Sequence, residues 1–403
     1  VKTVTLFLAQ SFPPRPGVAA RRLEYLVRES LKTSDRVFVI RLDRAYGKEI
    51  SLKGLKVLPI TARDLRSNYV GLSKIGTVRQ TGRSKLFQLV QRLRQSFPFV
   101  YLTDDGGLDY RQKAFALASE LVEKEGITHV ISSFRPWSDH LVASQLKKQY
   151  PHLNWVADMR DLPVDPVRAD AWWPGLQTWW GKRVLAAADE VWCVSRGQAE
   201  QLAVWHPVVK VRYNPLLTLP PGRTAPTTDR FTIVYTGSLY SGLQSIEPLV
   251  VALRKLLLEE VLPPHQLCLV YRGKDADLFR HWTAGIPTEC LDVQTSIAPA
   301  AAQKMQEKAQ VLLLLNWSAP GYYGVLTAKL WDYLASGRPI LALVNGPGDE
   351  ELRKIIEGAA AGAVFGASEQ TKADEWLRAA IGTWQTTGTL AWETSIAALR
   401  AYV

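Results

Sequence analysis

The residues best suited to chemistry lie in Tyr322-Tyr-Gly-Val-Leu-Thr-Ala-Lys-Leu-Trp-Asp-Tyr-Leu-Ala-Ser-Gly-Arg-Pro-Ile-Leu-Ala342. A glycine-containing loop leads into an amphipathic helix with Lys329 and Asp332 in its opening turns, which breaks at Gly337 and restarts as an apolar strand. Free N–H groups at a helix start suit a phosphate, and a carboxylate one turn further in suits a sugar hydroxyl. A nucleotide-sugar site is therefore the first hypothesis.

A second phosphate-compatible turn occurs in Ile233-Val-Tyr-Thr-Gly-Ser-Leu-Tyr-Ser-Gly242, where a strand runs into Gly237 and Ser238 before a helix. Alone it reads rather as a tight turn with nothing bound, but the turn at Gly324 in the same half of the chain tips the balance to a ligand. Neither segment matches a Walker motif or the full dinucleotide glycine pattern, which argues against ordinary NTPases and dehydrogenases. Asp104-Asp105-Gly106 superficially suggests a metal pair, yet it precedes a helix, where acids cap exposed N–H groups.

The elements that must position these residues alternate along the whole chain, the signature of parallel α/β layers. In the first half, strands are expected at 3–9, 36–40, 128–132, 154–157 and 190–194, with helices at 18–32, 108–125, 138–149 and 176–188; residues 62–84 show neither period and read as a loop. The proline-rich stretch 214–226 reads as a linker, because proline lacks a ladder donor and restricts its predecessor. Beyond it come strands at 231–235, 266–271, 310–315, 339–344 and 362–365, and helices at 245–259, 298–308, 328–336, 349–357 and 370–383. Two doubly wound Rossmann-like domains are predicted, 1–215 and 216–389, with a last helix at 390–402 that crosses back to the first. Ligands of such sheets sit at the carboxyl ends of the strands, so the cleft between the domains is the expected site.

Composition agrees with two folded cores. The 403 residues exceed the size at which single cores usually split, and 47% apolar against 22% charged residues excludes a disordered chain. No apolar run approaches the roughly 20 residues of a membrane span, and Val4-Thr-Leu-Phe-Leu-Ala9 is too short for a signal-peptide core. A cytoplasmic protein is expected, with Cys193, Cys268 and Cys290 as buried thiols, too widely spaced for a disulfide framework or a zinc site. Charge is uneven: residues 1–215 carry 33 Lys and Arg against 20 acids, while 216–403 carry 16 against 18. The segment 63–94 alone holds eight cations against Asp64, enough to attract anionic lipid headgroups at about 1 kcal/mol per cation. Nucleic acid would also explain the charge, but no nucleic-acid-binding signature accompanies it.

The chain resembles the retaining, nucleotide-sugar-dependent glycosyltransferases of the GT-B fold with glycosyltransferase 4-like N-terminal domains. The resemblance rests on Phe12-Pro-Pro-Arg-Pro-Gly17, Ser132-Ser-Phe-Arg-Pro-Trp-Ser-Asp-His140, Asp158-Met-Arg-Asp161, Ala188-Asp-Glu-Val-Trp-Cys-Val-Ser195, Tyr235-Thr-Gly-Ser-Leu-Tyr240 and Lys329-Leu-Trp-Asp-Tyr-Leu-Ala-Ser-Gly-Arg-Pro-Ile340. Each is weak singly; their order and spacing carry it. It implies an α/β GT-B fold, sugar transfer from a nucleotide-sugar co-substrate with no other cofactor and no essential metal, and a glycan or lipid-linked acceptor. Asp332 matches the carboxylate that binds the nucleotide ribose. Eight residues earlier, where the family often has a second carboxylate on the donor sugar, this chain has Gly324. The amides of Val325 and Leu326, with Thr327 at the helix start, remain to serve the sugar or phosphate. The basic residue common after the Tyr-Thr-Gly-Ser turn is also missing, leaving Arg272 and Lys329 as candidates to neutralise the leaving diphosphate, or as a surface charge and a solvated helix residue.

On the acceptor side the resemblance points to Gly17 and to the junction holding Ser133, Arg135 and His140. His140 is the catalytic candidate; the alternative is a histidine that caps or packs a helix start. Asp161 either contacts an acceptor hydroxyl or joins Asp158 and Arg160 in an internal ion-pair network. Four tryptophans within 172–180, led by Trp172 and Trp173, form an acceptor platform, an interfacial wedge or part of the core, with at least two expected exposed. Segments 63–94 and 172–183 together suggest contact with an anionic membrane surface in cell-surface glycan or glycolipid synthesis. The departures at Gly324 and after Ser238 keep two alternatives open: a non-catalytic nucleotide-sugar or glycan-binding protein, and a sugar-nucleotide epimerase.

Overall fold

The computed structural model describes residues 3–15, 17–43, 47, 49–62, 93, 96–103, 107–168, 171–220 and 227–403. The basic segment 63–94 (Leu93 aside), the Asp104-Asp105-Gly106 motif and part of the 214–226 linker lie outside them. The chain divides into two compact units, Val1–Tyr213 and Asn214–Val403.

In the first unit the elements run β1 (Val4–Leu8), α1 (Val18–Thr33), β2 (Arg36–Leu42), β3 (Leu55–Ile60), α2 (Phe99–Thr103), α3 (Gly107–Glu125), β4 (His129–Phe134), α4 (Trp137–Gln149), β5 (Asn154–Met159), α5 (Pro174–Leu185), β6 (Glu190–Cys193), α6 (Arg196–Leu202) and β7 (Val209–Val211). The seven strands are parallel in the order β3-β2-β1-β4-β5-β6-β7. Every residue of β1 is buried, as a strand covered by helices on both faces requires. Phe7, Val37 and Val39 pack with Leu23, Leu26 and Val27 of α1 on one face; Leu6, Leu8 and Ile40 pack with α3 and α4 on the other.

The second unit runs β8 (Phe231–Thr236), α7 (Glu247–Leu258), β9 (Leu267–Arg272), α8 (Ala276–Trp282), β10 (Leu291–Gln294), α9 (Pro299–Lys308), β11 (Val311–Trp317), α10 (Ala328–Ser336), β12 (Ile340–Asn345), α11 (Glu350–Gly358), β13 (Gly362–Gly366), α12 (Gln370–Thr387) and α13 (Ile396–Leu399). Its six strands are parallel in the order β10-β9-β8-β11-β12-β13. Both units are therefore doubly wound, with the strand order reversing between β1 and β4 in one and between β8 and β11 in the other. Loops that leave two such strands diverge and open a crevice at their carboxyl ends.

The strands that sequence periodicity does not reveal, β3, β7 and β10, are all sheet edges. Half-exposed and carrying Lys56, Pro59, Asp292 and Gln294, they lack the apolar run that two-sided burial writes into a central strand. The last helix also differs from expectation. In place of one helix over 390–402 there are α13 and a 3₁₀ turn at Arg400–Tyr402. This tail bonds within the second unit: Leu390 N–H donates to Gln310 Oε1 at 2.7 Å, and Ser395 N–H to the Ala359 carbonyl at 2.8 Å. The three cysteines are buried, and no disulfide joins them. Among the described residues no helix is long and apolar enough to cross a membrane, and no cluster of three or more His, Cys, Asp or Glu could hold a metal ion.

Candidate functional site

At the second unit's switch point the two phosphate-compatible turns meet. β8 ends at Thr236 and the chain turns at Gly237 (φ 107°), whose N–H donates to the Arg272 carbonyl of the neighbouring strand at 2.7 Å. Glycine is favoured there because a side chain rarely adopts φ 107°; a Cβ would also lie 2.6 Å from Cε of Lys329, which would have to shift. Lys329 Nζ donates to the Ser238 carbonyl at 2.9 Å and lies 4.8 Å from the centre of the Tyr235 ring. Burial pulls its pKa down to about 8, partly offset by Asp275. Asp275 itself accepts the Leu239 N–H at 2.9 Å and so shapes the same turn.

The loop from β11 to α10 is held by local and distant bonds. Ala319 and Tyr322 exchange two backbone hydrogen bonds around Pro320-Gly321, with Gly321 at φ 71°, the proline-then-glycine pattern of a tight turn. Gly324 also takes a positive φ of 73°, and its N–H donates to Asp349 Oδ2 at 2.8 Å. Asp349, almost wholly buried, uses its other oxygen to cap α11 through the Leu352 N–H at 3.0 Å. Its carboxyl is pushed above its ordinary range by burial, against the hydrogen bonds of Leu352, Gly324 and Val325. Asn316 Nδ2 holds the Val325 carbonyl at 3.1 Å.

These bonds change which amides face outward. The expected donors, Val325 and Leu326, are turned inward: Val325 toward Asp349, and Leu326 onto the Gly324 carbonyl at 2.9 Å. Thr327 N–H likewise bonds the Val325 carbonyl at 3.2 Å, and its side chain makes no cap. The first two amides of α10, Ala328 and Lys329, make no backbone hydrogen bond among the described residues and are the open donors at this helix start. Asp332 follows Lys329 by three residues, hence on the same face of α10, and is half-buried. Gly337 closes the helix in the left-handed conformation at φ 69°.

Arg272 is engaged elsewhere. Its guanidinium pairs with Asp292 Oδ2 at 2.6 Å and donates to the Asp292 carbonyl at 2.8 Å, tying β9 to the edge strand β10. Lys329 is thus the cation the structure brings to the paired turns.

In the first unit, Gly17 (φ 136°) begins α1 at the β1 side of the switch point. Ser133 hydrogen-bonds Asp158 Oδ2 at 3.4 Å. Asp158 is itself buried against Arg22, whose Nη2 lies 2.5 Å from Oδ1 and whose Nη1 donates to the Arg212 and Tyr213 carbonyls at 2.9 and 3.1 Å. Arg160 donates to the Arg135 carbonyl at 2.9 Å, with half-buried Asp161 beside it. Asp158 is ion-paired, as the reading of 158–161 expected, but not with Arg160. Its partner is Arg22 of α1, distant in sequence. Arg22 shares the buried face of α1 with Leu23 and Leu26, an arginine within an apolar stripe, which was the available signal.

His140 lies in the interior and not at the mouth of a cleft. It is fully buried, with Nδ1 2.7 Å from Ser132 Oγ, Nε2 3.0 Å from Met159 Sδ and its ring stacked on Phe134. Burial lowers its pKa to about 3. A neutral, enclosed imidazole has no face for an acceptor, so this geometry favours packing over catalysis. Among the tryptophans, Trp173 and Trp179 are 60% and 49% exposed, meeting the expectation of two exposed indoles. Trp172 and Trp180 are half-buried; Trp180 packs on Phe97 and Tyr101, and Trp172 N–H donates to Ser96 Oγ at 2.7 Å.

Comparison with solved structures matches this architecture over the whole chain. Sucrose-phosphate synthase from Thermosynechococcus elongatus superposes with a TM-score of 0.60 at 15% identity, covering 100% of this chain and 95% of that one. TarM superposes with a TM-score of 0.55 at 8% identity, covering 100% and 96%. At such identities the likeness shows the fold: two parallel-sheet, Rossmann-like α/β domains of GT-B type. No protein-family model matches the chain, and no curated protein matches its sequence.

Proposed function

We propose that this protein is a metal-independent, retaining glycosyltransferase. The observation that carries the reading is the Lys329–Ser238 contact, which brings the two phosphate-compatible turns together at the switch point of the second sheet. Lys329 and the open amides of Ala328 and Lys329 form a cationic, donor-rich spot for a diphosphate, and Asp332 on the same helix face takes the ribose. As the bond from the sugar's anomeric carbon to the diphosphate breaks, the acceptor oxygen bonds that carbon on the same face and its proton passes to the leaving diphosphate. No protein nucleophile is needed. The first unit takes the acceptor, a glycan or lipid-linked hydroxyl, with Gly17, Arg135 and Asp161 as polar candidates and the exposed indoles of α5 as the contact to a membrane or sugar.

Titration calorimetry with a panel of nucleoside diphosphates, repeated on Asp332→Ala, tests the donor site. Loss of a charge-assisted hydrogen bond of about 1.5–3 kcal/mol predicts roughly 10- to 100-fold weaker binding. Unchanged affinity places the donor site elsewhere.

One observation favours a second reading, a nucleotide-sugar-binding protein without transfer. Gly324 offers no carboxylate to the sugar, and its N–H is taken by Asp349. Nucleotide binding with no turnover across an acceptor panel selects that reading, whereas donor turnover without acceptor selects an epimerase.

A further inference from the structure

On the outer side of the first unit's helix layer, α3, α4 and α5 leave a groove of about 620 Å³, lined by Arg111, Lys148, Arg183 and Trp180 over Leu141 and Val184. That volume falls within the roughly 300–1,000 Å³ usual for small-ligand pockets. Three cations and no carboxylate line it. Arg111 spends one N–H on the Tyr101 carbonyl at 3.0 Å, and Arg183 lies 4.7 Å from the Trp179 ring centre. Among the described residues none of the three cations has an acidic partner, and the buried indole N–H of Trp180 has no acceptor. Like charges converging on a concave, partly apolar surface focus a positive potential that an anion relieves. Beside the groove, α5 exposes Leu176 and Trp179, its N-cap Trp173 is exposed as well, and α2 exposes Phe99 and Leu102.

We propose that this groove binds the phosphate of an anionic phospholipid headgroup, with the exposed indoles of α5 entering the lipid interface beside it. Arg111, Lys148 and Arg183 supply the charge, the Trp180 ring a wall, and Leu141 and Val184 the apolar floor for the headgroup stem. The combination of basic groove and aromatic rim selects a lipid surface over a free phosphate, because indoles gain by sitting at the boundary between water and hydrocarbon. The proposal rests on the reading of the first unit as membrane-facing and is independent of the donor site.

The test is co-sedimentation of the full chain with phosphatidylcholine vesicles with and without phosphatidylglycerol, for the unaltered protein, Lys148→Ala/Arg183→Ala, and Lys53→Ala/Lys56→Ala as an equal charge change at exposed positions of the other sheet edge. Binding that requires phosphatidylglycerol and falls about 30-fold in the groove variant, against less than about 3-fold in the control, supports the site. Equal losses in both variants, or no loss, overturn the groove while leaving membrane contact standing. No binding of the unaltered protein to either vesicle overturns both, and glycerol phosphate binding measured directly by titration calorimetry, lost in the groove variant and without any vesicle binding, assigns the groove to a soluble phosphate ester instead. Nucleoside diphosphate affinity, measured on the same variants, stays unchanged whichever of these holds unless the protein has misfolded.

Discussion

The ammonium of Lys329 sits 2.9 Å from the carbonyl oxygen of Ser238, a residue 91 positions away, and joins the start of α10 to the turn after β8. One of its three donors is spent on that carbonyl, and the remaining charge stays against the Tyr235 face. On the proposed reading this ammonium is the positive charge offered to a diphosphate, and its burial makes that charge dependent on pH.

Because burial brings the Lys329 pKa to about 8, nucleoside diphosphate binding weakens as pH rises from about 7 to about 9 and the ammonium loses its proton. The folded-state value lies below the unfolded one, so the same residue makes the fold more stable as pH rises from about 8 toward its ordinary value of 10.5. Calorimetry across this range checks the first statement; Lys329→Arg, charged throughout, flattens the binding profile.

Asp349→Ala removes the cap of α11 and leaves the Gly324 N–H without its acceptor. A lost cap of about 1 kcal/mol and an unpaired donor of about 1–3 kcal/mol predict a loss of about 2–4 kcal/mol in urea denaturation. Nucleotide binding falls as well, because the 321–327 loop loses its tether. The carboxyl is raised, so its contribution to stability is present below the unfolded value of 3.8 and declines as pH rises through the folded one. Asp349→Asn removes that dependence.

Breaking the Arg22–Asp158 pair from one side strands a buried charge. Arg22→Met alone is expected to cost about 3–5 kcal/mol, whereas Arg22→Met with Asp158→Leu recovers much of it. Denaturation curves of the single and double variants, compared as a cycle, measure the difference.

His140 stays neutral until about pH 3, so no group titrating near neutrality in an activity profile belongs to it. His140→Gln is expected to lower stability through its bonds to Ser132 and Met159 while leaving the pH profile of transfer unmoved. A shifted acidic limb in that profile returns His140 to catalysis.

The sequence by itself determined the alternation of strands and helices, the two-unit organisation, and α10 to the residue. These follow from local periods and local breakers: apolar runs in strands buried on both faces, a 3.6-residue stripe in helices, and glycine at Gly237 and Gly337, where the backbone turns left-handed. The place of Lys329 and Asp332 near one helix start was legible for the same reason.

What the tertiary structure decided depends on residues far apart in sequence. Strand order put the turns after β8 and β11 side by side and so joined Lys329 to Ser238. Asp349, 25 residues beyond Gly324, turned the Gly324 and Val325 amides inward and left Ala328 and Lys329 as the open donors. Arg272 found Asp292 on an edge strand too polar to read as one, and His140 was drawn under Phe134 and Met159. Burial and pairing arise from packing between elements, and a side chain's type and its near neighbours do not specify that partner.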